Sequence, residues 1–143
     1  MTTDLCADIA SYLIAQGQGV TLSTYLSSHT GTPICYGYLP DAPLRCTTVY
    51  QFRGTDPVAT HDNASDIRQP GLQVMVRSDD YDEGTTRINA IYALLHKNRE
   101  LTLNGTRYVL LWAEQDFISL GWYDDGAGRA LKIVQNFRIM RSG

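Results

Sequence analysis

The stretch PGLQVMVR at residues 70–77 decides the fold of this chain. Its apolar side chains alternate with others from Leu72 to Val76, and a period of two predicts a β-strand with one buried face. The acidic run at residues 78–83 follows, and apolar residues then recur at i, i+3, i+4 and i+7 within residues 88–95. That spacing predicts a helix whose apolar side packs on the sheet.

A second strand is predicted upstream, at residues 46–53. Its side chains alternate and are rich in β-branched and aromatic types, which pack well on a pleated surface. Gly54 is predicted to end this strand, and residues 55–69 form a polar stretch without periodicity. A connection of that length within one domain is usually functional, or becomes ordered only on a partner.

Downstream, the pair Asn104-Gly105 predicts a β-hairpin with a two-residue turn. The strand that follows is predicted at residues 106–114, and simple alternation places Tyr108 and Trp112 on the same face. Both faces of this strand are apolar, so we expect it to lie inside the sheet, or to be covered by helix on one side and a partner on the other.

The N-terminal part predicts one helix, whose apolar face runs from Leu5 to Leu13. Thr2 or Thr3 is the predicted N-cap, with Asp4 in the first turn, and Gly17 or Gly19 is the predicted end.

Residues 20–44 predict loops or short edge strands, because Ser and Thr are frequent and three prolines exclude long regular elements. A short strand is predicted at residues 34–38. With a closing strand at residues 130–141, the chain of 143 residues is predicted to be one α+β domain. Its expected architecture is a mainly antiparallel β-sheet with two α-helices packed on it.

Composition excludes several classes of protein. The net charge of −3 argues against a general nucleic-acid binder. Ten of the twelve cationic residues are Arg, which suits fixed contacts with carboxylates across an interface or reflects a GC-rich genome. No apolar run approaches the roughly 20 residues of a membrane span. The acidic start at residues 1–4 does not suit a signal peptide, so we expect folding in a cytoplasm.

Catalytic and metal-binding motifs find little support. The three cysteines form no CxxC pair and are expected to be reduced and mostly buried. The acidic run at residues 79–84 fails the calcium-loop pattern and is better explained as helix capping. The histidines lack zinc-ligand spacing, and the pair His61-Asp62 is more often a solvated surface pair than a catalytic base. There is no nucleophile elbow and no phosphate loop, so no metal, nucleotide or other cofactor is expected.

The most distinctive loop is GWYDDGAGR at residues 121–129. Its glycines permit a tight turn, and Asp124 or Asp125 can bond the backbone within it. A plain β-turn is one interpretation. The other is an interface turn, because Trp122, Tyr123 and Arg129 are residue types that anchor interfaces.

The order of these features resembles the tail terminator (minor capsid) proteins of long-tailed bacteriophages. The features are a strand with Gln73 and Arg77, an acidic-capped helix, an Asn-Gly hairpin, an aspartate-glycine-arginine turn and a closing strand containing Asn-Phe-Arg at residues 136–138. The resemblance covers roughly residues 68–141, and more loosely the whole chain as a single tail-terminator-like domain, residues 1–143.

The resemblance implies a structural protein of the virion without enzymatic activity, located in the tail at the head–tail junction. It implies a homo-oligomeric, hexameric ring on the tail tube protein that ends tube polymerisation and offers a surface to the head completion or connector protein. No membrane and no specific nucleic acid is an implied partner, although DNA can pass through such a ring. The expected interface residues are Trp122, Tyr123, Asp124, Asp125, Arg129, Asp62 and Arg68.

Two alternatives from the sequence stay open. A head completion or neck protein is another structural role with similar features. A small hydrolase or ligand-binding domain is a different class, and a pairing of cysteine and histidine in space would support it.

Overall fold

A computed structural model describes residues 4–40, 43–59, 66–124 and 129–142. Within these residues the chain forms three helices and seven strands. In chain order they are α1 (Leu5–Ala15), α2 (Leu22–Ser28), β1 (Ile34–Tyr36), β2 (Cys46–Ala59), β3 (Asp66–Ser78), α3 (Tyr81–Leu95), β4 (Asn98–Leu103), β5 (Thr106–Ala113), β6 (Ile118–Asp124) and β7 (Arg129–Ser142).

All seven strands belong to one sheet in the order β1-β2-β3-β7-β5-β4, with β6 also paired to β7. The pairs are antiparallel except β1 and β2, which run parallel. The predicted class, a mainly antiparallel sheet with helices, is therefore confirmed in part. The sheet is mixed, because the short strand β1 runs parallel to its neighbour β2. The helices number three rather than two.

The core lies between one face of the sheet and helices α1 and α3. Leu72, Val74 and Val76 of β3 are fully buried there, as the alternation predicted. Burial of each such side chain stabilises the fold by about 1.5–3 kcal/mol. From the helices, the buried contacts include Leu5, Ile9, Leu13, Ile88, Ile91 and Leu95.

Asp4 caps helix α1, since its side chain accepts a hydrogen bond from the backbone N–H of Cys6 at 3.0 Å. The prediction that Asp4 lies in the first turn is wrong, because its extended backbone makes it the cap itself. Thr2 and Thr3, the predicted caps, lie outside the described residues. The predicted end at Gly17 is confirmed: its φ of 81° and the bond from its N–H to the carbonyl of Ile14 close the helix.

Helix α2 was not predicted from the sequence. Thr21 caps it by accepting from the N–H of Thr24 at 3.2 Å. No residue of α2 is buried, and its seven residues are too few for a helical period to stand out among the surrounding Ser and Thr. The predicted strand at residues 34–38 is confirmed as β1, which ends two residues earlier, at Tyr36.

Strand β2 does not end at Gly54 as predicted but continues to Ala59. Two irregularities in its register with β3, between Phe52 and Thr55 and between Thr55 and Val58, allow the strand to pass through Gly54 and Pro57. Strand β3 begins at Asp66. Most of the predicted polar connection is therefore a long hairpin, and its residues 60–65 lie outside the described part of the chain.

A β-bulge in β5 contradicts the prediction that Tyr108 and Trp112 lie on the same face of the strand. Tyr108 pairs with Arg141 and Leu110 pairs with Met140, so Val109 is an extra residue. The insertion reverses the alternation. Tyr108 is fully buried, whereas Trp112 is 39% exposed on the other side of the sheet.

The acidic run is a helix cap, as predicted. Asp80 is the N-cap of α3 and accepts from the N–H of Asp82 at 3.2 Å, with Asp82 and Glu83 in the first turn. The Asn104-Gly105 hairpin is also confirmed, with φ values of 50° and 84° at its two turn residues.

Candidate interface

Two long hairpins project from opposite ends of the sheet. Strand β3 pairs with β7 along almost its whole length, from Ile67 beside Ser142 to Ser78 beside Leu131. These two pairs are about 35 Å apart at roughly 3.3 Å per residue. The β2–β3 hairpin extends past the first end, and the β6–β7 hairpin past the second.

The described residues among those predicted to contact another subunit or the tube are therefore divided between the two ends. Arg68 lies beside Arg141 in the β2–β3 hairpin. Trp122, Tyr123 and Asp124 lie in β6, at the other end. Asp62 and Asp125 lie outside the described residues.

The predicted loop at residues 121–129 is the end of a β-hairpin. Asp124 pairs with Arg129, and Trp122 pairs with Leu131, so only residues 125–128 separate the strands, and these lie outside the described residues. The sequence interpretation missed strand β6 because Gly121, with a φ of 85°, interrupts the alternation at a bulge between Ser119 and Trp122.

Two cation–π contacts order this hairpin. The guanidinium carbon of Arg129 lies 5.0 Å from the ring centre of Trp122. The ammonium of Lys132 lies 4.7 Å from the ring centre of Tyr123. Such contacts stabilise exposed sites by about 0.5–1 kcal/mol, so each contact favours the observed position of its aromatic ring.

Strand β6 carries three exposed apolar side chains, of which the sequence interpretation selected only Trp122. Ile118 is 44% exposed, Leu120 is 57% exposed and Trp122 is 41% exposed. Their spacing of two residues was the available signal. Apolar side chains exposed in series are typical of surfaces that other proteins cover.

The sheet face opposite the helices is partly open. Phe52 lies over Gly71, where an added Cβ would come within 2.5 Å of the ring, and Trp112 pairs with Arg138 across β5 and β7. Near the middle, the side-chain amide of Gln73 donates to Asn136 at 3.1 Å.

Arg77 fastens a loop over the upper part of this open face. Its Nε donates to the carbonyl of Leu44 at 2.8 Å, and its Nη2 donates to the carbonyls of Pro40 at 2.5 Å and Pro43 at 2.9 Å. Arg77 is itself buried. This face of the sheet is therefore covered near Cys46, the cross-strand neighbour of Arg77, and accessible nearer Phe52 and Trp112.

The three cysteine thiols are not activated as nucleophiles. Cys6, Cys35 and Cys46 are free and buried, as the prediction of reduced, buried thiols expected. Burial raises the pKa of each of these thiols, to about 11 for Cys6. A thiol must lose its proton to attack, so these side chains are poor nucleophiles near neutral pH.

The two histidines within the described residues, His29 and His96, have structural contacts. His96 accepts from the N–H of Ala113 at 3.0 Å and stacks on Tyr92 with ring centres 4.7 Å apart. His29 ends α2 in the left-handed conformation. His61 lies outside the described residues.

The raised pKa of Cys6 predicts a loss of stability at alkaline pH. The ordinary value of 9.0 applies to the unfolded chain and about 11 to the folded protein, so between these values the folded state binds more protons. Stability therefore falls as pH rises through this window. Wild type should lose up to about 2 kcal/mol more than Cys6→Ala between pH 9 and 11, given about 1.4 kcal/mol per pKa unit. Urea unfolding measured across this range tests the difference; parallel curves would contradict it.

The surface grooves do not identify a substrate site. Three grooves of similar volume, about 470, 440 and 420 Å³, lie in separate places. In the described part of the chain, no three residues of metal-binding type come together. Among the same residues, no helix is long and apolar enough to span a membrane.

Comparison with known proteins identifies one family and two solved structures. A family model described as "Bacteriophage tail terminator protein" matches residues 12–131. A chain from the solved structure of the virion of a native gene transfer agent particle is similar in fold, with a TM-score of 0.59 and 20% identity over 97% of this chain and 95% of that chain. A second solved structure, 16% identical over 95% of this chain and 96% of the other, has a TM-score of 0.44 and is too distant to support an argument. No curated protein matches this chain.

Proposed function

This chain belongs to the family of bacteriophage tail terminator proteins, and on that premise we propose that it forms a ring that caps the finished tail tube. As a member of that family it is a structural protein of the phage tail and is located in the virion. The proposal adds a six-membered ring, the end of tube polymerisation and the joining of tail to head.

The family match over residues 12–131 is the observation that carries this proposal. One sheet takes strands from Ile34 to Ser142, which supports treating residues 1–143 as a single tail-terminator-like domain. The same sheet carries a different hairpin at each end, which supports a subunit whose two ends present different surfaces.

Different ends are what a terminator requires. A growing tube exposes subunit surface that the next ring would cover. A terminator ring covers that surface with one of its ends and presents another surface at the other, so further tube subunits find no matching contact. Head-to-tail contacts between identical subunits close into a ring when the rotation between neighbours divides a full turn.

The proposed partners are other copies of this chain, the tail tube protein and the head completion or connector protein. The β6–β7 hairpin with Trp122, Tyr123 and Arg129 supplies one candidate surface. The β2–β3 hairpin with Arg68 supplies the second, at the opposite end of the sheet.

Negative-stain microscopy of the purified protein mixed with tail tubes tests the proposal. We expect rings alone or at one end of each tube, and tubes that no longer lengthen when tube protein is added. Rings that bind isolated heads and never bind tubes would contradict tube capping and favour a head completion protein.

A further inference from the structure

Two strands of the sheet have an outer edge without a partner in the described part of the chain. Strand β6 pairs only with β7. Strand β2 pairs with β1 only at residues 47–49, so from Tyr50 onward its described residues pair only with β3. These two edges lie on opposite sides of the sheet.

An unpaired edge presents rows of backbone N–H and C=O groups that can pair with another strand. Natural proteins protect such edges with charge, with irregular backbone or with a covering segment. The other edges of this sheet are protected in these ways. On β4, Arg99 and Glu100 are charged, and Glu100 has a φ of 55°. Beside β1, Val20 accepts a hydrogen bond from Ile34 at 2.8 Å.

The edge of β6 has much less protection. Its sequence ISLGWYD carries one charge, at Asp124 beside the hairpin tip. The bulge before Trp122 twists the strand but leaves both of its halves at the edge. Ile118, Leu120 and Trp122 add exposed apolar surface on either side of the backbone. A second strand laid along β6 would cover both the polar backbone and these side chains.

The directions of the strands identify which edge of a second copy fits. Strand β6 is antiparallel to β7, β7 is antiparallel to β3, and β3 is antiparallel to β2. Strand β2 therefore runs antiparallel to β6. When a neighbouring copy is placed beside β6 with its helices on the same side, its β2 edge meets β6 in antiparallel pairing, the commoner and slightly more stable arrangement.

We propose that β6 of each subunit pairs with the β2 edge of the next copy, from Tyr50 to the residue before Pro57, so that the sheet continues from subunit to subunit. Pro57 limits the run because it has no N–H to donate. Phe52, exposed on β2, supplies apolar surface to meet that of β6. This inference rests on the proposed ring and names its subunit contact.

The contact is between two different surfaces, so it can close a ring rather than produce a two-fold dimer. It also fixes a stagger. Strand β6 lies along residues 129–134 of β7, whereas the open part of β2 begins level with Asn136 and ends before Val58, which is level with Ser142. Neighbouring copies are therefore displaced along the strands by about 25 Å, at roughly 3.3 Å per residue. A ring of subunits displaced in this way can close only if the strands are inclined to the ring axis.

A charge on the β6 edge tests the contact. Leu120→Lys should reduce ring formation at least tenfold, measured by mass photometry over a range of concentrations, because an edge lysine opposes strand pairing. Leu26→Lys is the matched control: Leu26 on α2 is 59% exposed and Leu120 is 57% exposed, but only Leu120 lies on the edge. The control should assemble like wild type, and both variants should melt like wild type.

Cross-linking tests the same contact in assembled rings, even if Leu120→Lys affects folding. Leu120→Cys combined with Gln51→Cys or with Phe52→Cys should give, on oxidation, a ladder of covalent multimers up to the full ring. Arg99→Cys combined with Gln51→Cys, on the β4 edge, should give none. The native cysteines are buried and contribute little.

The outcomes separate this inference from the function. The subunit contact is overturned if rings cap tubes without a β6–β2 cross-link and form equally well from Leu120→Lys. That result would not contradict the tube-capping function. Wild-type protein that forms no ring with or without tubes overturns the proposed function and the contact together. Cross-links only between two β6 strands indicate a two-fold dimer and overturn the contact.

Discussion

Deletion of the gene for this chain is expected to leave filled heads and separate tails, with many tail tubes longer than normal. Without a cap, the last ring of the tube keeps the surface that recruits the next tube subunit, so growth continues. The head connector in turn lacks the surface that it binds. Electron micrographs of lysates and a plaque assay measure the two consequences, and infectious particles should be nearly absent.

Complementation supplies the control for this experiment. Wild-type protein expressed in trans should restore normal tube length and joined particles together. Normal-length tails attached to filled heads in the deletion strain would contradict the terminator function. Tubes of normal length that remain unattached would instead indicate a role only in joining, as expected of a neck protein.

Strongly periodic parts of the fold could be predicted from the sequence. The buried face of β3, the apolar side of α3 and the closing strand each follow one period over many residues, and the helix cap at Asp80 and the turn at Asn104 are local signals. In these segments local preference and tertiary burial agree, which is when a pattern is most reliable.

The features that the sequence did not predict are those in which a local signal is overridden or absent. A glycine such as Gly54 often marks the end of a strand, but β2 stays paired with β3 beyond this residue. The bulge at Val109 reverses the faces of β5, and no residue type marks it. Helix α2 has only seven residues and none of them is buried, so it shows no extended periodic face.

The predicted interface residues stay a prediction, and the structure shows only where they lie in the fold. Residue types selected Trp122 and Arg129, which do contact each other in the β6–β7 hairpin. They could not show that Arg68 lies at the opposite end of the sheet, because that separation follows from the pairing of β3 with β7. Residue type also overlooked Leu120, whose exposure on an unpaired edge depends on the sheet order.

Arg77→Met is expected to destabilise the folded protein by about 3 kcal/mol or more, and to lower the melting temperature by roughly 10 °C. Arg77 is buried and donates to three backbone carbonyls in residues 40–44. Methionine fills a similar volume but donates no hydrogen bond, so these acceptors lose their partner without gaining one. Urea and thermal unfolding measure the loss.

Arg45→Met is the matched control. Arg45 also forms a short ion pair, with Asp79 at 2.6 Å, but both side chains are about half exposed. Solvent can replace a contact of that kind, and exposed ion pairs contribute only about 0–1 kcal/mol. Equal losses of stability in the two variants would mean that the hydrogen bonds from buried Arg77 to the three carbonyls stabilise the fold no more than an exposed ion pair does.

Thiol labelling below the melting temperature separates a local effect from general unfolding. Cys46 is the cross-strand neighbour of Arg77, which binds the carbonyls of Pro40, Pro43 and Leu44, whereas Cys6 lies on α1 at the opposite face of the sheet. If Arg77 holds the loop in place, Arg77→Met should expose Cys46 to a thiol reagent and leave Cys6 protected. Equal labelling of both thiols would mean that the whole domain had loosened. Labelling of Cys46 alone would show that Arg77 determines how much of the open sheet face a partner can reach.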